Sequence, residues 1–219
     1  MWKGFRRTNL ISFANAWNKQ GVQGFERGLK RCKQVTEAPW LPVWPMLNQA
    51  YYLMNTGHLE EAERLFLLLE QQLASQDLPS YRYSARIGLG LLTLARGEIE
   101  HARTQLCSLL GKKQCLYIET YVFAEIGLAE IDMQQGAYTE AYQRLYSMLS
   151  LTGSKRSLLE LYTICACTLA RLSLTPTQQA QGVVPLLKDV HRRISTIGPN
   201  HLTRECGTLL AQFSENRAN

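Results

Sequence analysis

Two thiols separated by one residue, Cys165-Ala166-Cys167, form the most chemically suggestive cluster in the chain, since paired cysteines can hold a soft metal or cycle between thiol and disulfide. On a helix, residues two apart diverge by about 200°, so these sulfurs cannot share one ligand sphere and are expected to be packed side chains. His58, His101, His191 and His201 are scattered, and none forms the one-turn histidine pair of a zinc-protease motif. Thr152-Gly153-Ser154-Lys155 has the tail of a phosphate loop without its leading glycine or preceding strand, and reads as a linker. Gly88-Leu89-Gly90 belongs to a longer sequence pattern, and Glu60-Glu61 falls where a helix begins and its dipole favours acids. The expectation is no catalytic residue, no metal site, no cofactor and no enzyme.

The elements around these residues are expected to be helices. The chain has 219 residues, 46% hydrophobic and 19% charged, which excludes a disordered polymer. Mean hydropathy is -0.18, and no apolar run approaches the ~18 residues of a membrane span. With 15 glycines and 7 prolines there is little punctuation, and alternating β-branched runs are almost absent. Six sparse cysteines lack the spacing of a disulfide framework and read as reduced thiols. The apolar stretch Leu10-Ile11-Ser12-Phe13 is too short for a secretory signal, which favours a cytoplasmic protein.

Self-comparison aligns Gly57, Gly97 and Gly136, spaced 40 and 39 residues apart. Seven residues before each stands a small residue, Ala50, Gly90 or Ala129, and five after each stands Ala62, Ala102 or Ala141. Nine after comes Phe66, Leu106 or Leu145, and twelve after comes Leu69, Leu109 or Met148. These columns describe a helix ended by glycine, a tight turn and a second, antiparallel helix whose alanine allows close backbone approach. His101 falls where Glu61 and Glu140 stand, on the predicted solvent face. A weaker fourth copy is centred on Thr175, with Thr168, Ala180, Val184 and Leu187 in its columns and Pro185 expected to kink its second helix or delay its start to about Val183.

Leu89-Gly90, Gly97, Ala102 and Leu106, with Leu128-Ala129, Gly136, Ala141 and Leu145, resemble the tetratricopeptide repeat family over about residues 42–150. The pattern departs from that family at Met46, Arg86 and Glu125, where the family has an early aromatic, and at Leu69, Leu109 and Met148, where it has a late small residue. Its period also exceeds the family's usual ~34, as in the longer helical repeats of bacterial ATP-dependent transcription activators. The resemblance implies an all-α, TPR-like solenoid of antiparallel helical hairpins with about nine helices. The expected division is a basic N-terminal hairpin over 1–41, a repeat array over 42–195, and a capping helix and tail over 196–219.

The resemblance further implies a concave groove lined by the first helix of each hairpin. In this register the partner-binding residues are Trp44, Leu47, Tyr51, Met54, Leu91, Phe123 and Met133, a trough for a partner protein or peptide. The positions of the family's carboxylate clamp hold Leu47, Tyr51, Phe123 and Gly127, so a chaperone tail is not the expected ligand. Residues 1–35 carry eight Lys and Arg against Glu26 alone, including the patch Arg27, Lys30, Arg31 and Lys33. Hence the leading expectation is a protein-protein adaptor or scaffold, and the alternative is a regulatory factor whose basic end binds nucleic acid or another acidic surface.

Overall fold

The computed structural model describes residues 43–55, 57–76, 78–153, 156–174, 182–197 and 201–215. Among them are nine α-helices and no strand. In chain order they are α1 (Val43–Asn55), α2 (Leu59–Gln72), α3 (Pro79–Ala95), α4 (Ile99–Leu110), α5 (Ile118–Gln134), α6 (Tyr138–Thr152), α7 (Leu159–Ser173), α8 (Val183–Ser195) and α9 (His201–Glu215). The expected N-terminal hairpin, with Arg27, Lys30, Arg31 and Lys33, lies outside the described residues. None of the described helices is long and apolar enough to cross a membrane.

Three turns carry the sequence pattern, and each is built the same way. Gly57, Gly97 and Gly136 have φ of 87°, 87° and 79°, the left-handed region in which a Cβ is penalised. The glycine N–H donates to the carbonyl three residues back, Met54, Leu94 or Met133, at 3.2, 2.9 and 3.2 Å. The next N–H, from His58, Glu98 or Ala137, reaches five residues back to Leu53, Thr93 or Asp132 at 2.9, 3.2 and 2.8 Å. This is the Schellman pairing, which satisfies carbonyls that a helix end otherwise leaves without partners. The same residue then opens the following helix, because its carbonyl accepts from Ala62, Ala102 or Ala141. One residue therefore closes a helix and starts its antiparallel neighbour, which explains the fixed five-residue interval between glycine and alanine.

Contacts group the described residues up to Ala124 into one compact unit and those from Glu125 onward into a second. In the first, α1 pairs with α2 and α3 with α4, and α2 also packs on α3. Two glycines on α3 seat these neighbours. A Cβ at Gly88 would stand 2.3 Å from Cε1 of Phe66 on α2, and one at Gly90 would stand 3.0 Å from Cδ2 of Leu106 on α4. The Gly88-Leu89-Gly90 triplet thus admits a helix on each side of α3. Arg82 and Arg86 of α3 both donate to Glu70 of α2, and Arg96 donates to both carboxylate oxygens of Glu63.

In the second unit α7 is the central helix, packed against α6, α8 and α9 and buried on nearly every face. Arg144 of α6 donates to Asp132 at 2.8 Å and to Glu125 at 2.7 Å, both on α5. Helix α8 starts at Val183, so Pro185 lies in its first turn, where a missing N–H costs no intrahelical bond. Its N-cap is Gly182, at φ 87°, seven residues beyond the glycine-equivalent Thr175. Thr168 and Leu187 of the fourth copy are buried and Val184 is half-buried, while Thr175 and Ala180 lie outside the described residues. Of the Thr152-Gly153-Ser154-Lys155 segment, Thr152 ends α6 and the Gly153 carbonyl accepts from Arg193 at 3.3 Å, while Ser154 and Lys155 lie outside the described residues. Helix α9 turns Leu202, Cys206, Leu209 and Phe213 inward.

Candidate functional site

In the first unit, the inner faces of α1, α3 and the first turns of α5 meet one another. Tyr51 of α1 donates its hydroxyl to the Ser84 carbonyl of α3 at 3.0 Å, and its ring lies 5.9 Å from that of Phe123 on α5. Ser84 donates to the Ser80 carbonyl at 2.9 Å, which leaves its oxygen to accept from Thr120 of α5 at 2.8 Å. Burial holds the Tyr51 hydroxyl well above the ordinary tyrosine pKa, so it is a permanent donor.

This closure revises the expected trough. Leu47, Tyr51, Met54 and Leu91 are buried in the first unit, and Met133 is buried in the second. Phe123 is half-buried. Side chains packed against their own chain present no area to a partner, and in the first unit the physical cause is the run of contacts linking α1, α3 and the first turns of α5. Leu47 and Tyr51 of the tested clamp positions are core residues for the same reason.

Trp44 alone among the seven remains substantially accessible, at 48% of its surface. It stands in the first turn of α1, edge-on to Tyr81 of α3 at 6.5 Å and to Tyr117, just before α5, at 6.4 Å. Tyr81 and Tyr117 are themselves 5.2 Å apart, so the three rings form one mutually supported cluster. The Tyr117 hydroxyl is pushed up to about 12, by burial first and then by the hydrogen bond with Tyr81 and the charge of Glu119. It stays protonated through the physiological range. The cluster offers aromatic surface and, in Tyr117, a hydroxyl that remains a donor near neutral pH. Tyr81 and Tyr117 did not emerge from the sequence pattern, because neither occupies a shared column with Trp44.

The remaining chemistry-bearing residues are dispersed. Among the described residues no group of three or more His, Cys, Asp or Glu is placed to hold a metal ion. His101 is exposed, as are Glu61 and Glu140 at the equivalent positions. Cys107, Cys115, Cys165, Cys167 and Cys206 are free thiols. Cys165 and Cys167 are both buried, and the Cys167 sulfur lies 3.4 Å from that of Cys206 on α9. No protein-family profile, curated protein or solved structure matches the chain.

Proposed function

We propose that the chain is a non-enzymatic adaptor or scaffold, a TPR-like array of helical hairpins that binds a partner protein or peptide. Support for the array comes from the three identically bonded glycine turns and from the buried alanine and leucine-type columns that follow them. The observation that carries the binding role is Trp44, a large apolar side chain left nearly half exposed while two tyrosines fix its orientation. An indole held in place gives contact area at little entropic cost, which is the character of interface anchors. On this reading the partner meets the N-terminal ends of α1, α3 and α5 at the aromatic cluster.

The test is affinity capture with the full chain, followed by the same capture with Trp44→Ala. The variant should keep its helical signal, lose about 1 kcal/mol of stability or less, and bind the partner at least ~2 kcal/mol more weakly. Undiminished capture by a folded Trp44→Ala protein would refute the aromatic site.

A second reading rests on the charge asymmetry of residues 1–35, where eight basic residues oppose one acid. If Arg27, Lys30, Arg31 and Lys33 bind nucleic acid, affinity must fall steeply with salt as counterions are released. Binding indifferent to salt, or unchanged when these four are neutralised, removes that reading.

A further inference from the structure

We propose that Cys167 and Cys206 are a redox pair, which a peroxide-class oxidant converts into a disulfide that fastens α9 to α7. The two sulfurs lie 3.4 Å apart, belong to different helices and are both fully shielded from solvent. A disulfide needs about 2.05 Å between sulfurs, so closure asks for a relative shift of little more than 1 Å across a single helix-helix seam. Cys165 takes no part, since it diverges from Cys167 on α7 by about 200°. Next to the thiols the same seam carries a second link. Arg171, one turn beyond Cys167, is paired with Glu205, the residue before Cys206, and also donates to Thr168 at 3.1 Å.

The seam also sets the condition for reaction. Cys167 is held well above the ordinary thiol pKa by its hydrogen bond with Cys206 and by burial, so in the closed seam its thiol is protonated and inert. Oxidation therefore proceeds through a local opening in which α9 lifts from α7 and one thiol meets water and ionises. That thiolate attacks one peroxide oxygen, breaking the O–O bond and giving a sulfenic acid and a water molecule. As α9 returns, the partner thiol attacks the sulfenic sulfur, forms the S–S bond and releases a second water. Two electrons pass from the sulfurs to the peroxide, and the thiol protons leave in the waters. The product closes a loop between α7 and α9 and suppresses the opening that allowed it to form.

The experiment treats the reduced, folded full chain with hydrogen peroxide, quenches it, and maps disulfides by peptide mass spectrometry. A loss of two hydrogens assigned to the Cys167–Cys206 linkage is expected, absent in Cys206→Ser and in Cys167→Ser. Amide exchange in α9 should slow by at least ~10-fold in the oxidised protein and recover with reductant. The wild-type map decides the matter even if a serine variant folds poorly. A pair that stays reduced while Cys107 and Cys115 oxidise would overturn the proposal. So would a linkage joining Cys165, or a Cys167–Cys206 linkage that leaves exchange in α9 unchanged.

Discussion

Replacing Gly88 by alanine sets two effects of known sign against each other. In a helix interior alanine is favoured over glycine by about 0.8–1 kcal/mol, so a Gly88→Ala change in an isolated α3 would stabilise it. In the folded chain the new methyl would lie 2.3, 2.4 and 2.8 Å from three carbons of the Phe66 ring. Ordinary carbon contacts are about 3.5–4.0 Å, so ring or helix must move by more than ~1 Å. The ring has nowhere easy to go, being fully buried and edge-on to Tyr51 at 5.0 Å between centroids. Overpacking of this kind costs about 1–3 kcal/mol and here belongs at the upper end. The overlap exceeds the propensity gain, leaving a net loss of about 1–2 kcal/mol, or roughly 2–8 °C in melting temperature for a chain of this size.

A double-mutant cycle with Phe66→Leu, read by denaturant unfolding followed by circular dichroism, isolates the cause. Phe66→Leu alone should cost roughly 1–2 kcal/mol for the cavity it leaves. In that background the obstructing ring is gone and Gly88→Ala should become neutral or stabilising, a coupling of at least ~1 kcal/mol. Gly111→Ala is the internal control, because its methyl would meet only the Ser108 carbonyl oxygen at 3.6 Å. It should be neutral or stabilising by up to ~1 kcal/mol. Stabilisation by Gly88→Ala in the wild-type background, or an equal effect in both backgrounds, refutes the close approach of α2 and α3.

At Gly57 the space around an added Cβ is open, so the cost of Gly57→Ala is purely that of its left-handed backbone. Thermal unfolding should show a loss of about 1–2 kcal/mol, and Gly57→Asn should recover part of it. Glu70 is held below the usual carboxylate range by its hydrogen bond from Arg86, with Arg82 adding to the effect against the opposing influence of burial. A depressed pKa contributes stability that is present above the unfolded value of ~4.3 and lost as pH falls through the folded one. Glu70→Gln should therefore cost up to about 1 kcal/mol at neutral pH, discounted for partial exposure of all three side chains. The difference from wild type should vanish on acidification, and a gap that persists in acid denaturation curves would contradict the ion-pair account.

The glycine-alanine frame was legible because each column answers to a constraint satisfied within one hairpin. A left-handed φ selects glycine at 57, 97 and 136, and the helix-to-helix approach selects alanine at 62, 102 and 141. The inner face was not legible in the same way. Leu47, Met54, Leu91 and Met133 announce by their apolarity that something covers them, but composition alone does not distinguish a partner from the chain's own helices. The pairing that decides it, Tyr51 with Ser84 and Ser84 with Thr120, joins residues 33 and 36 positions apart, in neither case the 39 or 40 of the repeat. The aromatic cluster escaped column-wise comparison for a related reason. Trp44, Tyr81 and Tyr117 precede their glycines by 13, 16 and 19 residues, a slide of three at each hairpin. Three residues is close to one helical turn, so the side chains stay on the same helix face while moving one turn toward the N-terminal end of each successive helix. The surface formed by these three rings therefore runs along a diagonal of the repeat frame, and the Ser84–Thr120 pair, 13 and 16 residues before their glycines, follows the same slide.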